Sequence, residues 1–150
     1  VAALAVAVYG SRRKDVDDQH TCAYWQPLWW VTAIVPMPKD VTAFAGELGA
    51  WCTEAPGGAA SEKNCVSGIG NVMYMFIGTS TARTAHICAS ITKDPENLYL
   101  CQEASAQRYL YSLPEDTALQ ACDGLAPRSK AACRKNALNA VRDAQLINLF

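Results

Sequence analysis

The sequence predicts a mostly α fold: tandem helical hairpins, each stapled by one disulfide, forming a short α-solenoid or helical bundle behind an irregular Trp-rich N-terminal segment. Three observations predict it. Six of the seven cysteines fall into the pairs Cys52/Cys65, Cys88/Cys101 and Cys122/Cys133, with 12, 12 and 10 residues between partners. The first cysteines of these pairs recur 36 and then 34 residues apart, a period typical of stacked helical hairpins. No stretch sustains the period-two alternation of a β-strand.

The elements can be justified in order. Val1 to Tyr9 is almost wholly apolar, but nine helical residues span only about 14 Å, less than half the hydrocarbon core of a bilayer. This run reads as a membrane-proximal or partner-docking region, or as the end of a signal anchor. Against an anchor, Arg12, Arg13 and Lys14 follow directly, and basic flanks stay on the cytoplasmic side. After a polar stretch come Trp25, Trp29 and Trp30, with Pro27 among them as a helix breaker. Pro36 and Pro38 close this segment, taken as residues 1–39.

From Asp40 onward, start and stop signals mark three hairpins at about 40–78, 79–112 and 113–150. Asp40 caps a helix from Val41 to Thr53, in which Phe44, Leu48 and Trp51 repeat at helical spacing. Pro56-Gly57-Gly58 makes a turn, Ser61 is the expected cap of the next helix, and Gly78 stands where a terminal glycine belongs. Thr79 or Ser80 opens a short helix. Asp94-Pro95 then pairs a cap with proline at the first helical position and starts a helix to about Tyr111. Pro114, with Glu115 and Asp116 behind it, opens the third unit; Gly124 stops its first helix and Pro127 leads the last one.

In each unit the first cysteine lies near the end of the shorter helix and the second near the start of the longer one. Antiparallel helices joined by a short loop bring those turns to the Cα separation of about 5–6 Å that a disulfide requires, so local pairing is expected. Small residues follow each second cysteine: Gly68 and Gly70, Ala104 and Ala106, Ala137 and Ala140. They let neighbouring helices approach closely, with Met73, Tyr74, Phe76, Tyr109, Leu110 and Tyr111 packing farther along.

Hairpins of this length with one cysteine per helix resemble the cysteine-stapled Sel1-like and tetratricopeptide-like repeats of secreted bacterial proteins. The resemblance covers about residues 40–146. It implies a protein-binding superhelix without catalytic residues.

Composition narrows the function classes. Seven cysteines in 150 residues, regularly paired, point to an oxidising extracytoplasmic compartment such as a periplasm, an extracellular space or an intermembrane space. Thirteen Lys+Arg against fourteen Asp+Glu give a net charge of -1, so no nucleic-acid partner is expected. Metal sites want C-x2-C or C-x4-C spacings, which are absent; His20 and His86 are the only histidines, and no cofactor is expected. The chain has no G-x-S-x-G, H-E-x-x-H, Walker loop or C-x-x-C.

The candidate site residues follow. Cys22 is the odd cysteine, either a buried free thiol, a bridge to a second chain or the survivor of a degenerate fourth staple. Trp25, Trp29 and Trp30 are core packing or a surface for a partner or a membrane headgroup layer, with membrane-surface contact assigned to residues 1–35. Arg128, Lys130, Arg134 and Lys135 form a basic cluster, either solvated helix faces or a patch for an acidic partner; Arg128, Lys135 and Arg142 repeat every seventh residue. The expected function is a non-catalytic extracytoplasmic interaction module, a subunit or adaptor on a larger membrane-associated protein complex. The alternative is a small secreted disulfide-rich enzyme, a hydrolase or thiol oxidoreductase.

Overall fold

The structure, a computed structural model, describes residues 16–34, 38–78, 80–110 and 114–147. The expectations for Val1–Tyr9, Arg12–Lys14, Pro36, Thr79 and Tyr111 lie outside these residues, as do those for the side chains of His20, Tyr109, Leu110, Glu115, Asp116, Ala140 and Arg142. The described residues are mostly helical: α1 (Val16–Trp29), a π-helical turn (Trp30–Ile34), α2 (Val41–Thr53), α3 (Gly58–Ile77), α4 (Thr81–Ile91), α5 (Pro95–Leu110), α6 (Glu115–Ala121) and α7 (Pro127–Ile147). No strand occurs among them.

Local signals place most boundaries. The Asp40 carboxylate accepts from the Thr42 and Ala43 amides at 2.9 and 3.0 Å, and Asp94 accepts from Glu96 and Asn97 at 3.0 and 2.8 Å, so two orphan donors are satisfied at each start. Ser80 Oγ accepts from the Arg83 amide and caps α4. Gly78, at φ 62°, ends α3 in the left-handed region that a side chain disfavours.

Two expectations are corrected. Over residues 16–34 the Trp-rich segment is helical rather than irregular: α1 runs through Pro27, and the π-helical turn continues to Ile34. Proline removes one i→i−4 hydrogen bond, but the Pro27 ring is fully buried and faces α3 at Gly68, and that packing offsets the loss. Ser61 does not cap α3. Gly57, at φ 102°, reverses the chain so tightly that the helix begins at Gly58, and Ser61 lies buried one turn inside it.

The long helices α1, α3, α5 and α7 pack side by side in chain order, while the shorter α2 and α4 lie against each other in a second layer. Each hairpin pairs a short helix with the long one that follows: α2 with α3, α4 with α5, α6 with α7. A disulfide joins each pair: Cys52–Cys65, Cys88–Cys101 and Cys122–Cys133, at Cα separations of 5.5, 5.8 and 5.7 Å. All six cysteines are buried, so the staples are also core.

One apolar cluster runs from Ala23 and Trp30 through Leu48, Ile69 and Met73 to Ile87 and Cys101; a second gathers Ala106, Leu125 and Ala137 around the third staple. Ala23 and Trp30, with the partly buried Leu28 and Val31, join residues 16–34 to this main core. Hairpins are also tied to their neighbours by polar contacts, Asn97 Nδ2 donating to Glu62 Oε1 at 3.0 Å and the Ala126 amide to Gln102 Oε1 at 3.3 Å.

Candidate functional site: the open face of helix α1

Rotation about the long helices separates faces that carry neighbours from a face that carries none among the described residues. At 100° per residue, positions three and five after a given residue point to roughly opposite sides of a helix. In α3, Gly70 stands five residues after Cys65 and abuts the Cys101 backbone of α5; Gly68 stands three after and abuts the Tyr24 carbonyl of α1. Thus the +5 side meets the next long helix and the +3 side the previous one. In α1 the +5 position from Cys22 is Pro27, which meets α3 at Gly68. The +3 position is Trp25.

Trp25 is 52% exposed and Trp29 is 45% exposed. Cys22, Trp25 and Trp29 are spaced i, i+3, i+7 and share one face of α1. Cys22 is a free, partly exposed thiol. Tyr24, edge-on to Trp25 at 5.1 Å, extends the aromatic surface; its phenol is pushed up by burial, an effect the Arg108 guanidinium partly opposes. Arg108 also lies over the exposed Tyr74 ring, 5.1 Å from its centroid. The aromatic surface with its cation therefore extends over α1, α3 and α5.

Trp30 is the exception among the three tryptophans, and its assignment as a contact residue is corrected. It is fully buried, edge-on to Trp51 of α2 at 5.2 Å, and it holds α1 to the core instead of facing a partner. A hydropathy reading could not separate these neighbours, since only the rotation of α1 against α2 and α3 does so.

Most of the basic cluster is ion-paired on the surface. Arg128 pairs with Glu96 at 2.6 Å and stacks 3.9 Å over the Tyr99 ring, while Lys130 and Arg134 share Asp123 at 2.8 and 3.2 Å. Lys135 is exposed, without an ion pair among the described residues. Three of the four cations are thus ion-paired within the chain, to two carboxylates. Hydrogen bonding to Arg128 holds the Glu96 carboxyl below its usual range, and Lys130 does the same for Asp123. A carboxyl depressed on folding contributes stability above its unfolded pKa and loses it as pH falls through the folded value. The Glu96→Gln protein should therefore lose less stability than the parent on acidification through about pH 4 to 2. Urea denaturation midpoints at both ends of that range check this, and equal losses would contradict it.

No group of three or more His, Cys, Asp or Glu among the described residues could hold a metal ion, and no described helix is long and apolar enough to cross a membrane. The three intramolecular disulfides suggest an oxidising, extracytoplasmic environment. No protein-family model, curated protein or solved structure matches the chain.

Proposed function

We propose that the chain is a non-catalytic, extracytoplasmic interaction module: a tandem array of stapled hairpins whose face at Cys22, Trp25 and Trp29 receives a partner protein within a membrane-associated assembly. The observation that carries this reading is the position of Trp25. It occupies the side of α1 that corresponds to the side of α3 on which α1 itself packs, yet half of its surface is open. Two large indoles spaced one turn apart on a rigid helix make a rigid apolar anchor, the residue type that dominates interface energetics. Cys22 lies on the same face, where a thiol of the partner could reach it. The likeness to Sel1-like and tetratricopeptide-like repeats belongs to this reading, since stacked hairpins present such surfaces along their length.

The test is the Trp25→Ala/Trp29→Ala double variant. Both side chains are largely outside the core, so the helical circular dichroism should be unchanged while the complex recovered by mild detergent extraction loses this chain. A full-sized complex with the double variant would end the proposal. Titration of the native protein should find no more than one reactive thiol; two or more would favour the thiol oxidoreductase alternative.

A further inference from the structure

Away from α1, a groove of about 480 Å³ opens between the start of α2, the end of α3 and the start of α4. Its walls are Val41, Thr42, Phe76, Ile77 and Ile87, with the exposed Ala82 beside them, and Arg83 and His86 bring the only ionisable side chains to its lining. Arg83 and His86 are one helical turn apart on α4. Both are exposed, and neither side chain has an ion pair or hydrogen bond among the described residues. This sets Arg83 apart from Arg128, Lys130 and Arg134, each of which is held by a carboxylate. Asp40 is the nearest acid in sequence, and its Oδ1 is engaged by the Thr42 and Ala43 amides.

We propose that this groove binds a small amphipathic carboxylate, an aliphatic acid whose chain lies on Phe76, Ile77 and Ile87 and whose carboxylate meets Arg83 and His86. Charge complementarity selects the head group: the lining offers two nitrogen-bearing side chains and no carboxylate. The volume falls in the range of small-molecule sites, about 300–1,000 Å³, and the mostly apolar walls with a polar rim match their usual composition. None of the groove's lining residues belongs to α1, which carries Trp25 and Trp29, so this inference stands whether or not the docking proposal does.

The experiment is calorimetric titration of the disulfide-intact protein with hexanoate, octanoate and decanoate below their micellar concentrations, with decanol as the uncharged control. Affinity should rise about fourfold for each methylene that is seated, because each buries roughly 0.8 kcal/mol of apolar surface. Arg83→Gln should weaken decanoate by about two- to fivefold, the range for an exposed ion pair, and leave decanol unchanged. Ala82→Trp fills the edge of the groove from an exposed position and should abolish binding of both. Methyl NMR shifts should centre on Val41, Ile77 and Ile87. The proposal is overturned by an absence of saturable binding, by decanol binding as tightly as decanoate, by unchanged binding in Ala82→Trp, or by shifts centred on α1.

Discussion

Replacing Cys88 and Cys101 together with alanine should lower stability by about 3 kcal/mol, the loop-closure value for a bridge of this span. The partners are 13 residues apart and at most 1% exposed, so alanine at both positions keeps the site apolar, and the small cavity left by the two sulfurs adds to the loss of the cross-link. The corresponding change at Cys122 and Cys133, separated by 11 residues, should cost nearly the same, because loop entropy varies only with the logarithm of length. All three together amount to about 9 kcal/mol, comparable with the whole net stability of a typical domain. Full reduction should therefore unfold the chain or leave it with helical signal and no cooperative transition. Urea titrations of the paired variants, and thermal scans with and without reductant, check both statements. An unchanged midpoint in the Cys88→Ala/Cys101→Ala protein would show that packing alone holds the second hairpin.

Gly70→Ala should destabilise the protein by about 2 kcal/mol, whereas Gly46→Ala should stabilise it by about 0.5–1 kcal/mol. Both glycines lie inside helices, where alanine is intrinsically better by about 1 kcal/mol. The difference is what the new methyl meets. At Gly70 it would collide with the carbonyl, C and Cα of Cys101, a backbone pinned by its own helix and by the second staple. The long helices must then separate, and overpacking of this kind costs about 1–3 kcal/mol. At Gly46 the methyl would stand 3.6 Å from the Ser90 carbonyl oxygen, ordinary contact. Gly68 should behave as Gly70 does, since its methyl would run into the Tyr24 carbonyl of α1. Chemical denaturation of the three variants separates close approach from helix propensity, because propensity alone would make all three changes stabilising.

The staples and most helix boundaries were legible in the sequence because they depend on near neighbours. Cys52 and Cys65 are bound to meet if two helices turn back within a dozen residues, and Asp94 before Pro95 admits few readings besides a helix start. Gly68 and Gly70 were legible as close-packing positions from their small size alone, although the helices they meet, at Tyr24 and Cys101, were not. What was not legible depends on rotation and on contacts between units. Pro27 suggests a break when taken alone, and only its burial against α3 keeps α1 whole. Trp29 and Trp30 are adjacent in sequence, yet one faces outward and the other packs on Trp51. Arg128 and Lys130 read as free charge until Glu96 and Asp123 come alongside. The groove at Arg83 and His86 draws its walls from three helices, so no local pattern announces it.

The local stapling of successive hairpins is the claim on which the fold and both functional proposals stand. Peptide mapping by mass spectrometry of the native protein, alkylated before digestion and never reduced, tests it most directly. The account predicts three linked peptide pairs, Cys52 with Cys65, Cys88 with Cys101 and Cys122 with Cys133, and Cys22 in none of them. A bridge between different hairpins, or alkylated thiols at any of those six positions, would contradict it.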